Sequence, residues 1–319
     1  MARAEDRAVP TTESVARATS LNGGAPTPVI QVRELGKSYG PVEAVRGVDI
    51  TVGAGEIVAF LGPNGAGKTT TMEILAGHRQ RDAGEVSVLG FDPGTAPRAF
   101  RERIGIVPQE TAVEPVLTVA ETVSLYSAAY PHPLDADEAI ALVGLEAQRS
   151  VRVSALSGGQ QRRLDLAIGI AGDPELLFLD EPTTGFDPAA RRRSWELIRR
   201  LRSLGKTILL TTHYIEEAQR LADRVVVIGS GRVIATGTPD DLARERPTVI
   251  SFRVPAPGIP LPQAPQQGET VTLSTESPTK TLLPLLTWAD VHGYELEGLS
   301  VTQPSLEDVY LQLTRQETR

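Results

Sequence analysis

The chain has 319 residues, of which 40% are hydrophobic and 23% are charged, so it carries enough apolar material for a folded core. The formal net charge of −8 argues against nucleic acid as the main partner. The absence of cysteine excludes disulfides, thiolate metal sites and cysteine nucleophiles, and no apolar run reaches the roughly 18 residues that a membrane-spanning helix needs.

Residues 1–28 are rich in Ala, Thr, Ser, Gly and Pro without an apolar period, which predicts a disordered N-terminal tail. Order begins with a predicted strand at residues 29–32. From there to about residue 247, short apolar runs alternate with segments of helical period. Because these runs are apolar throughout, they are typical of strands buried on both faces of a parallel sheet. They comprise residues 56–61, 104–107, 176–179, 208–210 and 225–228. The alternation predicts an α/β domain.

Helix signals stand between the predicted strands. Thr118 and Glu121 form a predicted capping box. One amphipathic helix carries a predicted apolar stripe that ends before a glycine and consists of Ser194, Leu197, Ile198, Leu201 and Leu204. The Gly-Ser-Gly turn at 229–231 predicts a hairpin at the sheet edge.

The pattern changes after residue 246. Five prolines fall between residues 254 and 269, where no helical period is visible. Strands at 248–254, 270–273 and 295–301, a helix at 281–292 and a last helix from Pro304 are predicted around this segment. Together they predict a small α+β module.

The strongest chemical signal is the run Gly-Pro-Asn-Gly-Ala-Gly-Lys-Thr at residues 62–69, which satisfies G-x-x-x-x-G-K-[ST] between a buried strand and a helix. Glycines allow successive backbone N–H groups to point at a phosphate, and the helix start adds its positive dipole end. Lys68 can then reach the β- and γ-phosphates, and the Thr69 hydroxyl can bind Mg²⁺. This context favours a phosphate-binding loop over a glycine-rich turn that matches by chance.

Asp180 and Glu181 follow the apolar run at 176–179. Ligands of open parallel sheets bind at the carboxyl ends of strands, so we expect Asp180 near the metal. Alternation along an extended chain would turn Glu181 to the other side, toward a water. Without the phosphate-binding loop, the pair would be an ordinary polar strand end.

A second glycine-rich turn, Leu-Ser-Gly-Gly-Gln at 156–160, precedes a helix whose apolar stripe is Leu164, Ala167, Ile168 and Ala171. Ser157 with Gln160 predicts a helix cap, and capping alone is the simplest interpretation. Capping does not require two glycines, however, and the pair next to free N–H groups indicates a second anion-binding turn.

The order of these motifs, followed by His213 after a strand, resembles the nucleotide-binding subunit of ATP-binding cassette (ABC) transporters over about residues 28–247. The resemblance implies an α/β fold: a P-loop ABC ATPase core with a mostly parallel sheet, an antiparallel β subdomain and a helical subdomain, plus a small α+β C-terminal domain. The expected division is a tail at 1–28, the ATPase domain at 29–247 and an accessory domain at 248–319.

The resemblance also implies roles for single residues, each of which has an ordinary alternative. Tyr39 would stack on adenine, although alone it reads as a core or edge-strand tyrosine. Gln109 would sense the metal and the γ-phosphate, although alone it is a surface residue beside a proline. Asp187 would belong to the D-loop, where Phe186 replaces the commoner leucine and is expected to adjust interface packing, and Asp187 is also a plausible helix cap. His213 would contact the γ-phosphate, although alone it is a strand-end histidine.

The resemblance implies three sets of site residues. The catalytic set is Glu181, His213, Gln109 and Lys68. The metal set, for Mg²⁺, is Thr69, Gln109 and Asp180. The set that would bind ATP is Tyr39, Gly62, Pro63, Asn64, Gly65, Ala66, Gly67, Lys68, Thr69, Thr70, Ser157, Gly158, Gly159, Gln160 and Asp187.

In this family two subunits dimerise head to tail, so Ser157 and Gly159 of one would close over ATP held by Lys68 of the other. One full motif set per chain favours a homodimer. Translocation would belong to a separate integral-membrane permease, engaged through residues 109–157, which would hold the protein at the cytoplasmic face of the membrane. No nucleic-acid partner is expected, because the arginines at 191–202 fall on the polar side of a helix and predict a solvated face.

Residues 306–314, Leu-Glu-Asp-Val-Tyr-Leu-Gln-Leu-Thr, are similar to the tail of the daunorubicin/doxorubicin-resistance branch of drug-export ATPases, and residues 211–224 fit the same branch. This similarity predicts export of a drug-like or hydrophobic compound. An importer ATPase is the nearest alternative. A translation-type ABC protein would carry two cassettes, a chromosome or DNA-repair ATPase would carry heptad arms, and a P-loop kinase would leave residues 156–160 without a role.

Overall fold

The computed structural model describes residues 28–109, 112–244, 247–253 and 270–302, together with residue 310. Within these ranges the strands form three sheets. The strands are β1 (Ile30–Tyr39), β2 (Val42–Val52), β3 (Ile57–Leu61), β4 (Ala83–Val88), β5 (Ile104–Val107), β6 (Leu176–Asp180), β7 (Thr207–Thr212), β8 (Arg224–Gly229), β9 (Arg232–Gly237), β10 (Thr248–Arg253), β11 (Thr270–Thr275) and β12 (Ser300–Thr302). The α-helices are α1 (Lys68–Leu75), α2 (Arg98–Arg101), α3 (Val119–Ser127), α4 (Ala136–Leu142), α5 (Gly158–Ile170), α6 (Pro188–Ser203), α7 (Ile215–Leu221), α8 (Pro239–Arg244) and α9 (Pro278–His292).

The central sheet has six strands in the order β5-β6-β7-β3-β8-β9. All neighbours pair in parallel except β9, which returns antiparallel beside β8, so the predicted parallel sheet and its edge hairpin are confirmed. The strands β6, β7 and β3 are adjacent, and their carboxyl ends therefore meet at one edge of the sheet. This edge is where ligands of open α/β sheets bind.

Both faces of the central sheet are covered, which explains why its strands are apolar throughout. Along β3, Ile57, Ala59 and Leu61 enter one hydrophobic core, whereas Val58 and Phe60 enter another on the opposite face. The first core is shared with α5, α6 and α7, and the second with α1 and the antiparallel sheet. Alternate side chains of one strand thus fill two cores, as expected of a sheet between two layers.

The antiparallel sheet β2-β1-β4 and the helical region α3–α5 are the two further layers that the ABC resemblance implies. The helix α3 begins with the predicted capping box, because the Thr118 hydroxyl accepts from the Glu121 N–H and the Glu121 carboxylate accepts from the Thr118 N–H. In the described residues no helix is both long and apolar enough to cross a bilayer.

The predicted stripe of α6 needs one correction. Ser194, Leu197, Ile198 and Leu201 are buried, but Leu204 is 55% exposed. The helix ends at Ser203, and Leu204 forms its C-cap immediately before Gly205, whose φ is +86°. Most of the arginines of this helix are exposed, as predicted, and Arg191 is an exception because its guanidinium lies 4.3 Å from the centre of the Tyr214 ring.

The C-terminal strands form a separate antiparallel sheet, β11-β10-β12, on which α9 packs. Their shared core consists of Ile250, Phe252, Val271, Leu273, Leu285, Ala289 and Leu296. The predicted strand at 295–301 is largely wrong: residues 295–299 form a turn, closed by a bond from the Leu299 N–H to the Leu296 carbonyl, with Gly298 at φ +66°. Only residues 300–302 pair with β10.

Several predicted segments lie outside the described residues, namely residues 1–27, the proline-rich segment 254–269 and, apart from Tyr310, the predicted last helix. Tyr310 itself packs against the core that α5, α6 and α7 cover. The domain boundaries at 29–247 and 248–319 remain predictions.

Candidate functional site

The loop between β3 and α1 forms a cradle that admits only glycine at two points. A Cβ on Gly67, which has φ +100°, would lie 2.3 Å from the Ala44 carbonyl oxygen, and one on Gly62 would lie 2.3 Å from that of Ile228. Most of the predicted residues of the loop border an open cleft of about 400 Å³, called the P-loop cleft here, but Gly62, Pro63 and Ala66 do not line it. It is lined by Tyr39, Ala44, Asn64, Gly65, Gly67, Lys68, Thr69, Thr70, Gln109 and Glu181.

Lys68 lies at the floor of this cleft with only 5% of its surface exposed. Its ammonium donates to the carbonyls of Gly62 and Pro63 at 2.8 and 3.1 Å and lies 3.8 Å from Glu181 Oε1. Burial lowers the pKa of Lys68, and the nearby carboxylates of Glu181 and Asp180 oppose that shift. A cation is therefore held beside two anions at the start of a helix, where the macrodipole also favours a negative ligand.

Asp180 ends β6 and faces two hydroxyl groups. Thr69 Oγ1 donates to Asp180 Oδ1 at 3.3 Å, and the hydroxyl of Thr211 on the neighbouring strand β7 donates to the same oxygen at shorter range. The register places Asp180 directly beside Thr211. A carboxylate and a hydroxyl at this spacing form a hard, oxygen-only donor set, which is the kind that Mg²⁺ shares with the phosphates of a substrate.

Glu181 is turned away from Asp180 by its backbone rather than by strand alternation. Its φ is +46°, in the left-handed region that residues with side chains seldom adopt, and its N–H donates to both the hydroxyl and the carbonyl of Thr211. The two carboxylates therefore accept from different hydroxyl groups, and a turn at the strand end, rather than alternation, sets the backbone of Glu181. The carboxylate of Glu181 accepts from Thr184 Oγ1 at 3.0 Å and is 8% exposed.

His213 follows β7 and reaches the same carboxylate. Its Nδ1 lies 3.3 Å from Glu181 Oε2, without the direction that a hydrogen bond requires. The ring packs on Tyr214 with centres 4.1 Å apart, and the guanidinium of Arg191 covers the Tyr214 ring. The predicted catalytic residues Lys68, Glu181 and His213 therefore lie together.

Gln109 and Tyr39 border the P-loop cleft from two sides. Gln109 lines this cleft and also a second one, whereas Tyr39 is 41% exposed at the far end. Arg79 and Lys37 lie against the Tyr39 ring, 5.2 and 5.6 Å from its centre. The ring is thus a half-open aromatic surface, as the adenine role would require.

The predicted residues Ser157, Gly158, Gly159 and Gln160 do not line the P-loop cleft of their own chain as the structure describes it. They form the N-terminus of α5, where Ser157 and Gln160 make the predicted reciprocal cap. Gly158 and Gly159 line the second cleft, of about 720 Å³, called the signature cleft here, which also contacts Gln109, Glu181 and Asp187. A Cβ on Gly158 would meet nothing within 4 Å, and one on Gly159 would make only an ordinary contact with Ala190.

Asp187 has the capping role that its sequence context suggests. It is the N-cap of α6, and its carboxylate accepts from the N–H groups of Ala189 and Ala190 at 2.8 and 2.9 Å. Its bonds with these N–H groups lower the pKa of Asp187. The side chain is exposed beside Phe186 in the signature cleft, so capping leaves room for a contact with another molecule.

Three residues that shape this site were not predicted from the sequence. Thr211 contacts Asp180 and Glu181, Thr184 contacts Glu181, and Arg162 donates to carbonyls on both sides of the signature cleft. Thr211 could have been found, because a hydroxyl near the end of an apolar strand can contact the side chain that ends the neighbouring strand. Arg162 had no such signal, because arginine on a helix is usually solvated.

Comparison with known proteins gives a second, independent line of evidence. A family model described as ABC transporter matches residues 45–184, and one described as ABC transporter domain-containing protein-like, C-terminal domain, matches residues 248–305. Nod factor export ATP-binding protein I of Rhizobium meliloti (strain 1021) is 39% identical over 94% of this chain and 92% of its own. Daunorubicin resistance ATP-binding protein DrrA2 of Streptomyces coeruleorubidus is 36% identical over 91% of this chain and 96% of its own.

Solved structures share the fold. CbiO1 of Clostridium perfringens, described as part of the ABC transporter complex cbiONQ, has a TM-score of 0.61 at 30% identity and covers 68% of this chain and 90% of its own. The dimeric ATP-binding cassette MJ0796, bound to ADP and Pi, has a TM-score of 0.60 at 26% identity and covers 66% of this chain and 98% of its own. With relatives that match over nearly its whole length and a phosphate-binding loop facing two strand-end carboxylates, the chain belongs to the ATP-binding subunits of ABC transporters, which bind and hydrolyse ATP.

Proposed function

We propose that the chain binds ATP with Mg²⁺ in the P-loop cleft, hydrolyses it at an interface between two copies, and powers export of a drug-like or hydrophobic compound through a separate membrane permease. The observation that carries this proposal is the convergence of Lys68, Thr69, Asp180 and Glu181 at the carboxyl ends of β3 and β6.

The triphosphate is held by the loop at residues 62–67 and by Lys68. The backbone N–H groups of the loop and of the first turn of α1 supply neutral donors, and the ammonium supplies the charge. The oxygen donors of Thr69 and Asp180 fit Mg²⁺, with Gln109 at the rim of the cleft as a further oxygen ligand. Bound there, Mg²⁺ would neutralise charge on the phosphate oxygens.

Glu181 is the general base. Its carboxylate is held by Thr184 and by the left-handed turn, so it points into the cleft with little freedom. In that position it orients a water and accepts its proton as the water attacks the γ-phosphate. The Nδ1 atom of His213 lies 3.3 Å from Glu181 Oε2, and the ring packs on Tyr214. From this position His213 would contact the γ-phosphate beside Glu181.

A second copy of the chain completes the site. Ser157 and Gly159 do not line the P-loop cleft that holds Lys68, and Gly159 lines the signature cleft instead, so both would reach a nucleotide across an interface. The open space above Gly158 leaves room for a phosphate-bearing partner to approach the backbone closely. A dimeric cassette among the structural neighbours supports this arrangement, and the full motif set in one chain favours a homodimer.

The permease would dock on the helical region between Gln109 and Ser157. Apolar side chains are exposed there: Val116 is 63% exposed, Leu125 59% and Tyr126 37%. Large exposed apolar side chains in one region are a feature of many interaction surfaces. Docking at this surface would hold the protein at the cytoplasmic face of the membrane and couple the partner to Gln109.

Export is supported by the relatives, which act in Nod factor export and daunorubicin resistance. The test uses inside-out vesicles that contain the membrane protein encoded next to this chain, with doxorubicin fluorescence as the probe. ATP-dependent accumulation with the parent chain and none with Lys68→Ala is the expected result. ATP-dependent loss of the probe from preloaded vesicles would identify the opposite direction of transport and refute the export proposal.

A further inference from the structure

Arg162 on α5 is the most extensively bonded buried cation near the site, among the residues that the structure describes. It lies one helical turn beyond Gly158 and is 8% exposed. Its guanidinium donates to four main-chain carbonyls, which belong to Pro108 at 2.5 Å, Gln109 at 3.4 Å, Asp180 at 2.8 Å and Pro182 at 3.3 Å. A longer contact of 3.5 Å joins it to Asp165 on its own helix.

These carbonyls belong to two segments that are separate in the chain. One segment follows β5 and carries Gln109, and the other ends β6 and carries Asp180 and Glu181. The guanidinium therefore bridges the ends of two neighbouring strands and fixes both to α5. Arginine presents five N–H donors spread over three nitrogens in one plane, whereas lysine presents three from a single nitrogen, so lysine would not make the same set of bonds.

Burial of this cation is costly, and the neighbouring carboxylates offset only part of that cost. Desolvation lowers the pKa of Arg162, and the opposing attraction of Asp165, Asp180 and Glu217 does not cancel that shift. Charged side chains are seldom buried unless hydrogen bonds satisfy them, and here main-chain dipoles do so. Arg162 is costly to bury and joins α5 to the segments that carry Gln109 and Asp180. We therefore expect it to do more than fill space.

We propose that Arg162 is a positioning residue that couples the first turn of α5 to the catalytic carboxylates. A movement of α5 that brings Ser157 and Gly159 toward a partner's nucleotide carries the guanidinium with it. The guanidinium in turn carries the main chain at Gln109 and at Asp180, because it is bonded to both. Closure of the interface and alignment of Glu181 then occur together. This inference rests on the proposed roles of Gln109, Asp180 and Glu181.

The test compares Arg162→Lys with Arg163→Lys in the purified full chain. Arg163 is the adjacent residue, and its guanidinium donates to the Gly144 carbonyl at 2.6 Å, a bond that lysine can retain. The rate of ATP hydrolysis is divided by the amount of nucleotide bound, so that unfolded protein does not contribute. Arg162→Gln, which keeps a planar donor without the charge, is measured in parallel in case the lysine variant folds poorly.

We expect Arg162→Lys to bind ATP within about threefold of the parent while kcat falls by roughly 10- to 100-fold, the effect of a small misplacement of catalytic groups. KM should change little, and Arg163→Lys should retain the parent kcat. A normal kcat per bound nucleotide in the Arg162 variants, or a loss that follows only the folded fraction, would overturn the positioning role. If Glu181→Gln also hydrolysed ATP normally, the site assignment itself would fail instead.

Discussion

Replacement of Glu181 by glutamine tests the proposed chemistry most directly. The amide keeps the size of the side chain, and its oxygen can still accept from Thr184. The variant loses the attraction between Glu181 and Lys68 across 3.8 Å, roughly 4 kcal/mol at an effective dielectric constant near 20. It also removes a buried carboxylate that was costly to desolvate, so we expect the protein to fold.

The same change should abolish most of the hydrolysis. Positioned general-base catalysis contributes about 10²- to 10⁴-fold, so the rate should fall by at least about 100-fold, or roughly 3 kcal/mol in the barrier. The groups that hold Mg·ATP, which are Lys68, Thr69 and Asp180, are unchanged. Binding should therefore persist, and the variant should remain a dimer in the presence of ATP.

Phosphate release and size-exclusion chromatography with and without ATP measure both effects. Glu196→Gln, on the exposed side of α6, is the matched control and should behave as the parent. Lys68→Ala should lose nucleotide affinity and with it the ATP-dependent dimer. Hydrolysis by Glu181→Gln at near the parent rate would show that another group is the base, and His213 would be the next candidate.

Three further predictions concern the domain division, location and stability. A chain that ends at residue 246 should bind ATP with parent affinity but melt at a lower temperature and form weaker dimers or permease complexes, because it lacks the Tyr310 contact and residues 248–319. Calorimetry measures the melting temperature, and chromatography measures the assembly. Loss of ATP affinity in a folded truncated chain would contradict this prediction. The full chain should sediment with membranes only when its permease is co-expressed, and tight membrane association of the chain alone would contradict the docking proposal. Burial raises the pKa of Glu217, so the stability due to this group is present below the ordinary pKa of glutamate and is lost as the pH rises through the raised value. As the pH rises above the ordinary pKa of glutamate, the melting temperature of Glu217→Gln should therefore increase relative to that of the parent, whereas the exposed control Glu216→Gln should show no such trend.

Patterns within short segments predicted much of this fold. The buried strands β5, β6 and β8 follow from continuous apolar runs. The caps at Thr118 and Ser157 follow from paired side chains three residues apart, and the cap at Asp187 follows from the proline after it. The errors occurred where a turn interrupts an otherwise suitable run. Gly298 breaks a segment of strand-like composition, and Gly205 ends a helix before Leu204 can enter the core.

The details of the site depend on contacts between distant segments. Thr211 meets Asp180 only because β6 and β7 are neighbours in register, although the two residues are 31 positions apart. Arg162 lies two residues beyond the glycine-rich turn at 156–160, and its burial depends on how α5 packs across the ends of β5 and β6. No pattern within a short segment predicts the contact of Thr211 with Asp180 or the burial of Arg162. The ABC motifs predicted only the neighbouring site residues.

The two glycines at the start of α5 have a consequence for how variants of this protein should be interpreted. Among the described residues nothing requires them, since side chains at Gly158 and Gly159 would meet open space or an ordinary contact. Alanine is favoured over glycine in a helix by up to about 1 kcal/mol, so each substitution could make the isolated subunit more resistant to heat. A screen for thermostability would then select side chains at Gly158 and Gly159. In the proposed dimer these side chains would block the approach of a second subunit, so the selected variants would resist heat but lose transport.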